Sequence, residues 1–188
     1  MITLCLLAAF ILIALDHGVL QRKVRPLLLA DTAAASDHRL YHTKSFVVVR
    51  VIDGDTLDID APDNDAPYTR VRLLGIDTPE TKGVAEPMYF GPEASAFATD
   101  LAEGKQVTLY LPRDRTRDRY GRLLAYVKLP DGDFLNEILL NEGLAYADTR
   151  FDHDLFNKYK QLESMARARG KGLWKNITPE KMPQWRQN

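Results

Sequence analysis

The chain has 188 residues, of which 45% are hydrophobic and 27% are charged, and its formal net charge is −1. This length suits one domain with appended ends and is enough to bury a core. The near-zero charge argues against a protein that coats nucleic acid non-specifically, whereas a catalytic site needs only a local field. Because Cys5 is the only cysteine, a disulfide framework and a thiolate metal site are excluded.

The N-terminal 44 residues are predicted to lie outside the main domain, as an apolar targeting or anchor segment with a linker. Residues 2–15 form a continuous apolar run, shorter than the ~20 residues of a bilayer span. Its length fits the core of a secretory signal, whereas the basic residues between 22 and 25 fit an anchor that keeps the following chain cytoplasmic. An incorrectly assigned start, with the domain beginning near Tyr41, is the third alternative. We expect a secreted or membrane-anchored protein, with a cytoplasmic one as the alternative.

Three strands are predicted at the start of the domain. Residues 45–50 are rich in β-branched side chains and lead to an Asp-Gly turn at 53–54, which is a hairpin signal. Residues 57–60 alternate between polar and apolar as the returning strand. Residues 68–75 alternate again and deliver the chain to Asp77.

Helices and two further strands are predicted in the rest of the domain. A helix opens at Gly91-Pro92, because proline suits the first helical position, and Gly104 is its predicted C-cap. Asp152 or Asp154 is the predicted N-cap of the last helix. The remaining elements are strands over 106–111 and 123–129, a short helix over 134–142 and a polar tail over 176–188.

Two acidic motifs and two arginines carry the functional signal. Asp55 follows the first turn, and Asp77 and Glu80 lie in the run that begins at Arg72. Carboxylates are hard oxygen ligands for a cation of the calcium type, and they are candidate bases. Arg72 and Arg122 offer planar, permanently charged forks that fit phosphate oxygens. This combination predicts cleavage of a phosphodiester bond.

Each of these residues also has a purely structural interpretation. Asp55 lies beside a glycine, where aspartate most often serves as a turn residue, and for Asp53 we keep that turn interpretation. Glu80 in isolation fits an ordinary exposed glutamate. Arg72 has apolar neighbours on its strand, so it either points outward or is buried with a partner such as Asp55 or Asp77.

A cluster of arginines lies between residues 113 and 122, diluted by two aspartates. A solvated, charged loop is one interpretation of such a run. Because the cluster ends at Arg122, we interpret it as a rim that attracts the phosphate backbone.

The stretch from Ser45 to Trp174 resembles the staphylococcal nuclease (thermonuclease) family in the order and spacing of its motifs. The resemblance implies an α+β fold, a five-stranded OB-fold β-barrel with three α-helices, in a nuclease domain over 45–175. The matching segments are DGDT (53–56), RLLGIDTPET (72–81), GPEASAF (91–97), RYGRLLAY (119–126), NE (136–137), EGLA (142–145) and GLW (172–174).

The resemblance also implies the roles of the site residues. Asp55, Asp77 and the backbone oxygen of Thr78 would bind Ca²⁺, with waters completing the shell. Glu80 would act as the general base that orients or deprotonates a water molecule. The implied catalytic residues are Arg72, Glu80 and Arg122, with the two arginines stabilising charge in the transition state.

Substrate-binding residues follow from the same resemblance, with one departure. Arg119 and Tyr120 match family positions near the terminal phosphate of a bound nucleotide. The family usually places tyrosines that flank the base after its GLA motif, whereas this chain reads YADTRF from 146 to 151. Tyr146 or Phe151 is predicted to stack on a base without reading its sequence. The base preference is left open.

The predicted activity is calcium-dependent hydrolysis of DNA and RNA, with single strands favoured, by a monomer. Water would attack in line with the leaving 5′-oxygen and leave 3′-phosphates. The alternative is a non-catalytic OB-fold module that binds nucleic acid or protein. Such a module has no chemical need for the five charged residues described above, and a small-ligand barrel would leave all of them unexplained.

Overall fold

The computed structural model describes residues 33–187, in which five strands close into a barrel. These strands are β1 (Ser45–Asp53), β2 (Thr56–Ile59), β3 (Thr69–Leu73), β5 (Gln106–Tyr110) and β6 (Leu123–Lys128). Their order around the barrel is β1-β2-β3-β6-β5, and β1 pairs with β5 to close it. All neighbours are antiparallel except β3 and β6, which are parallel. The predicted five-stranded barrel is confirmed.

A two-stranded sheet lies beside the barrel. It consists of β4 (Ile76–Asp77) and β7 (Tyr146–Ala147), which pair antiparallel with Asp77 opposite Tyr146. The predicted third strand therefore ends at Leu73, and the chain forms a second, separate strand after the turn at Gly75. This small sheet fixes the backbone of Asp77 against the C-terminal half of the domain.

Four helices occur in the described part of the chain, where three were predicted. The additional helix, α1, covers 33–41, and the others are α2 (Gly91–Ala102), α3 (Leu135–Asn141) and α4 (Phe156–Ala168). Gly91 opens α2 with Pro92 in its first turn, as predicted. The predicted cap of α4 is wrong, because its N-cap is Leu155 and no side chain caps it.

Helix α1 packs on the barrel. The Tyr41 side chain is buried, and its hydroxyl is 3.1 Å from the hydroxyl of Thr69 on β3. The ring of His42 accepts a 3.0 Å hydrogen bond from the backbone N–H of Leu111. The packed unit therefore extends N-terminal of Ser45, where the sequence analysis placed the domain boundary.

The predicted targeting or anchor segment at residues 2–15 lies outside the described residues. Between residues 33 and 187, no helix is both long and apolar enough to cross a bilayer.

The barrel interior forms the main hydrophobic core, and a buried asparagine attaches α3 to it. Asn136 is fully buried; its side-chain oxygen accepts a hydrogen bond from the backbone of Val127, and its amide donates to the carbonyl of Leu74. Buried polar groups that are satisfied in this way specify one packing arrangement. The largest fully buried aliphatic side chains are Leu57, Ile59, Leu73, Ile76, Leu109, Leu123, Leu135, Leu139 and Leu140 in the main core, with Leu173 in a smaller cluster.

The C-terminal segment folds back onto the domain. Short 3₁₀ turns form at Pro179–Lys181 and Gln184–Arg186. Three apolar side chains of the segment pack against the smaller buried cluster around Tyr146 and Trp174; they are Ile177, Met182 and Trp185. The stretch predicted as a polar tail therefore contributes to packing next to the β4–β7 sheet.

Candidate active site

The two aspartates of the acidic motifs converge on one arginine. The Arg72 guanidinium forms an ion pair with the Asp55 carboxylate and donates a 2.6 Å hydrogen bond to Oδ1 of Asp77. All three side chains are largely buried, that of Arg72 being 12% exposed. Burial disfavours the charged guanidinium, but the charges of Asp55 and Asp77 outweigh it and raise the pKa of Arg72. Of the two interpretations of Arg72, the buried and paired one is correct.

The turn after β1 brings Asp55 to the backbone of the second motif. Its Oδ2 accepts a 2.8 Å hydrogen bond from the N–H of Thr78, and its Oδ1 accepts one from the Thr56 hydroxyl. Gly54 allows this approach, since a Cβ atom there would lie 2.9 Å from side-chain atoms of Thr78. The glycine of the DGDT motif therefore permits the contact between the two motifs.

Asp53 keeps the turn role predicted for it. Its Oδ1 accepts a hydrogen bond from the N–H of Gly54, and its Oδ2 accepts one from the N–H of Thr81 at 3.2 Å. Asp53 thus attaches the end of β1 to the segment that carries Glu80.

Glu80 lies in a strongly negative environment. The residue is exposed at the surface of the domain. Loss of hydration raises its pKa to about 7, the charges of Asp55, Asp53 and Asp77 add to the rise, and Arg72 opposes it. Such a site favours any added positive charge.

Asp77 is held by three side chains. Besides Arg72, its Oδ1 lies 3.2 Å from the Arg150 guanidinium, and its Oδ2 accepts a 2.8 Å hydrogen bond from the indole N–H of Trp185. Burial raises the pKa of Asp77; Arg72 opposes the rise, and the charge of Asp55 adds to it. No motif in the sequence indicates Arg150 or Trp185 as a neighbour of the site.

Arg122 lies immediately before β6, the strand that pairs with β3, on which Arg72 lies. It directly precedes Leu123, which pairs with Val71, the residue before Arg72. Its guanidinium donates a 2.6 Å hydrogen bond to Asp118, so it is oriented by a carboxylate that lies in the same loop. The structure thus brings Arg122 to the strand of Arg72 without a direct contact to the acidic pair.

The loop before Arg122 presents an exposed aromatic ring between two cations. Tyr120 is 68% exposed, its hydroxyl accepts a 2.6 Å hydrogen bond from Arg119, and the guanidinium carbon of Arg122 lies 5.4 Å from its ring centroid. A solvent-facing ring and two guanidinium groups suit a phosphate with its attached sugar or base.

The two predicted stacking residues have different environments. Phe151 is 58% exposed, with the Arg150 guanidinium 5.9 Å from its ring centroid. Tyr146 is 0% exposed and packs edge-on against Trp174. The structure does not support stacking by Tyr146, because no face of its ring reaches solvent.

One member of the predicted arginine rim has a structural role. Arg117 donates hydrogen bonds to both carboxylate oxygens of Asp37 on α1 and also pairs with Asp63. These contacts hold α1 against the loop before β6. The interpretation of the whole cluster as a phosphate-attracting rim is wrong for Arg117.

Comparison with known proteins places this site in a family. The profile of the family described as "Staphylococcal nuclease homologue" matches residues 70–176. The thermonuclease of Staphylococcus hyicus is 36% identical over 135 residues, which cover 71% of this chain and 77% of that protein. The thermonuclease of Staphylococcus intermedius is 38% identical over 133 residues, 70% and 76% of the two chains. An uncharacterized endonuclease of Escherichia coli O157:H7 is 33% identical over 138 residues, 73% and 80% of the two chains.

The chain belongs to the staphylococcal nuclease family. The resemblance inferred from its motifs is confirmed. The profile match begins at Arg70 and therefore contains every predicted site residue except Asp55, which the fold brings to the others through Arg72 and Thr78.

The protein ligands available for a metal in this staphylococcal nuclease homologue are few and are all oxygens. Within residues 33–187, no group of three or more His, Cys, Asp or Glu side chains is arranged to hold a metal ion. Asp55 and Asp77 are nevertheless held by one arginine, and the backbone of Thr78 adjoins both. Two carboxylates, a carbonyl oxygen and waters form a hard donor set of the kind that suits Ca²⁺.

Proposed function

We propose that this protein is a calcium-dependent nuclease that hydrolyses phosphodiester bonds of DNA and RNA and leaves 3′-phosphates. Membership of the staphylococcal nuclease family makes it a hydrolase that acts on nucleic acid. Calcium, the residue roles and the product ends are the proposed parts. Secretion or membrane anchoring through residues 2–15 also belongs to the proposal.

The convergence of Asp55 and Asp77 on Arg72 is the observation that carries this proposal. Two largely buried carboxylates 22 positions apart in the sequence share one guanidinium. A buried ion-pair network of this kind costs desolvation energy that a purely structural core avoids. Perturbed, paired charges cluster at functional sites, and here they coincide with the family motifs.

The donor set fits a divalent cation by its charge as well as by its chemistry. Loss of hydration is the main cause of the raised pKa of Glu80, and repulsion from the carboxylates of Asp55, Asp53 and Asp77 adds to it, with Arg72 opposing. A cation bound by Asp55, Asp77 and the Thr78 carbonyl would relieve this repulsion. When bound, Ca²⁺ supplies positive charge to a phosphate oxygen and lowers the cost of charge that develops there.

The arginines and Glu80 supply the remaining roles. Asp77 orients Arg72 and Asp118 orients Arg122 through ion pairs, and the remaining N–H groups of both guanidinium forks would bind non-bridging phosphate oxygens. Glu80, whose pKa is raised to about 7 by loss of hydration and by the neighbouring carboxylates, holds or accepts the proton of the attacking water. Tyr120 and Phe151 are the exposed rings that would contact the nucleotide.

The product ends test the proposed reaction. Labelled single-stranded DNA and RNA oligonucleotides are incubated with the full-length protein and calcium, and the fragments are treated with a phosphatase before extension by a terminal transferase. Hydrolysis that leaves 3′-phosphates predicts that fragments are extended only after phosphatase treatment. Extension without that treatment would contradict the proposed polarity of cleavage.

A further inference from the structure

The C-terminal segment reaches the acidic pair through one side chain. The indole N–H of Trp185 donates a 2.8 Å hydrogen bond to Oδ2 of Asp77, a residue 108 positions earlier in the chain. We propose that Trp185 is a positioning residue that holds the Asp77 carboxylate in the orientation needed to bind the divalent cation. This inference rests on the proposed function, in which Asp77 is a metal ligand.

The indole is itself held by Arg150. The guanidinium carbon of Arg150 lies 4.4 Å from the Trp185 ring centroid, and the same guanidinium lies 3.2 Å from Oδ1 of Asp77. Asp148 accepts two hydrogen bonds from the Arg150 guanidinium, at 2.8 and 2.9 Å. The pair Arg150 and Trp185 therefore contacts both oxygens of Asp77, one from each side chain.

The backbone around Trp185 is anchored next to the strand that supports Asp77. Arg186 pairs with Glu163, which also accepts a hydrogen bond from the backbone N–H of Ala147 on β7. The Trp185 ring packs edge-on against Tyr146, which pairs with Asp77 across the β4–β7 sheet. Trp185, the donor, and Asp77, the acceptor, are therefore both held by Tyr146 on β7.

The hydrogen bonds of Asp77 leave room for a cation. An ionised carboxylate offers about four lone-pair directions. Oδ1 accepts from Arg72 and faces Arg150, and Oδ2 accepts from Trp185, so one direction on Oδ2 stays available. Without the indole N–H, the remaining side-chain partners of Asp77 among residues 33–187 would be the two arginines, which both contact Oδ1 and leave Oδ2 without a donor.

The test removes the indole N–H and keeps an aromatic ring. Calcium binding to the full-length Trp185→Phe protein is measured by isothermal titration calorimetry. The matched control is Trp174→Phe, which makes the same chemical change in the neighbouring cluster. The Trp174 side chain is buried and, among the described residues, its N–H has no hydrogen-bond partner.

Loss of an outer hydrogen bond to a metal ligand predicts a rise in the calcium Kd of about tenfold for Trp185→Phe and less than about twofold for Trp174→Phe. Thermal unfolding in EGTA reports on folding separately from calcium binding, because Trp185→Phe loses a hydrogen bond to a carboxylate and Trp174→Phe does not. Equal calcium affinities for the two variants would overturn the inference. Tighter binding by Trp185→Phe would also overturn it, because the indole would then compete with the metal.

Fluorescence gives a second readout that does not depend on turnover. The chain contains two tryptophans, so Trp185 is the sole indole in the Trp174→Phe protein. Its emission should change along the calcium binding curve, and constant emission would contradict the contact. Asp77→Ala distinguishes failure of the proposed metal site from failure of the proposed role of Trp185. If the wild type binds calcium no better than Asp77→Ala, the proposed metal site is wrong. If the wild type binds calcium better than Asp77→Ala but Trp185→Phe and Trp174→Phe bind it equally well, only the role of Trp185 is wrong.

Discussion

The Asp55 carboxylate accepts a 2.8 Å hydrogen bond from the backbone N–H of Thr78, so the first acidic motif directly positions the second. This contact makes the two motifs one structural unit. A shift of the turn at Gly54 is therefore expected to move the predicted metal ligands Asp55 and Asp77 together. Substitutions at this turn and substitutions of the arginines test metal binding and phosphate binding separately.

Gly54→Ala should disturb this contact by steric overlap. The added Cβ would lie 2.9 Å from Cγ2 and Oγ1 of Thr78, which predicts a loss of about 1–3 kcal/mol in the free energy of unfolding. Urea denaturation of Gly54→Ala, Thr78→Ala and the double variant forms a mutant cycle. Strong coupling between the two positions is expected, because Thr78→Ala removes two of the overlapping atoms. Additive losses would show that the glycine is needed for another reason.

Arg72→Lys should be severely impaired although the charge is kept. A lysine cannot contact both Asp55 and Asp77 through a planar fork, and it offers no bidentate contact to a phosphate. We expect kcat/KM to fall by about 100-fold or more. The control is Arg70→Lys on the same strand, where Arg70 is half-exposed and pairs with Asp58. Comparable losses in both variants would remove the special role of Arg72.

Glu80→Gln should lower turnover while calcium binding is retained. The amide keeps the shape of the side chain but cannot accept a proton, which predicts a fall in kcat of about 100-fold. Glu86→Gln, an exposed glutamate in the following loop, is the control. Initial rates at saturating DNA provide the measurement. A kcat like that of the control would exclude Glu80 as the base.

Phe151→Ala should weaken substrate binding more than it slows the chemical step. A solvent-facing ring that stacks on a base contributes about 1–3 kcal/mol, so KM should rise by about tenfold or more with kcat little changed. Tyr68→Ala, which removes an exposed ring elsewhere on the surface, should leave KM unchanged. If kcat falls while KM stays constant, Phe151 does not act as a base platform.

Asp58→Asn should reduce stability at neutral pH, and its effect should disappear in acid. Burial disfavours the Asp58 carboxylate, but hydrogen bonds and charges from Arg70 and Arg50 outweigh it and lower its pKa. The stabilising contribution of a lowered carboxyl pKa is present above the unfolded pKa and is lost as pH falls through the folded one. We expect a cost of about 1–3 kcal/mol near pH 7 by urea denaturation. A difference from wild type that is independent of pH would contradict the ion-pair account.

The barrel and the core of the site were predictable because their signals are local. Strand alternation and the turn glycine at 54 specify the hairpin. Asp55, Arg72 and Asp77 each lie in a short motif, and these motifs meet where neighbouring strands begin or end. The family resemblance supplied the topology, which propensity alone does not determine.

The parts that sequence reasoning missed depend on contacts between distant segments. Trp185 reaches Asp77 across 108 positions, and Arg117 reaches Asp37 across 80, so no pattern near either residue indicates its partner. Helix α1 was not predicted because its packing depends on contacts of Tyr41 with Thr69 and of Asp37 with Arg117, which are distant in the chain. Tyr146 was assigned to the substrate because an aromatic residue near a motif looks the same in sequence whether it is buried or exposed.

The measurement that tests the central claim most directly is cleavage of single-stranded DNA by the full-length protein in Ca²⁺ or in EGTA, beside Arg72→Ala. The account predicts degradation by the wild type in calcium only and none above background by Arg72→Ala. Tight DNA binding without cleavage under any divalent cation would contradict it and would favour the non-catalytic binding module. Equal cleavage by wild type and Arg72→Ala would contradict the location of the site.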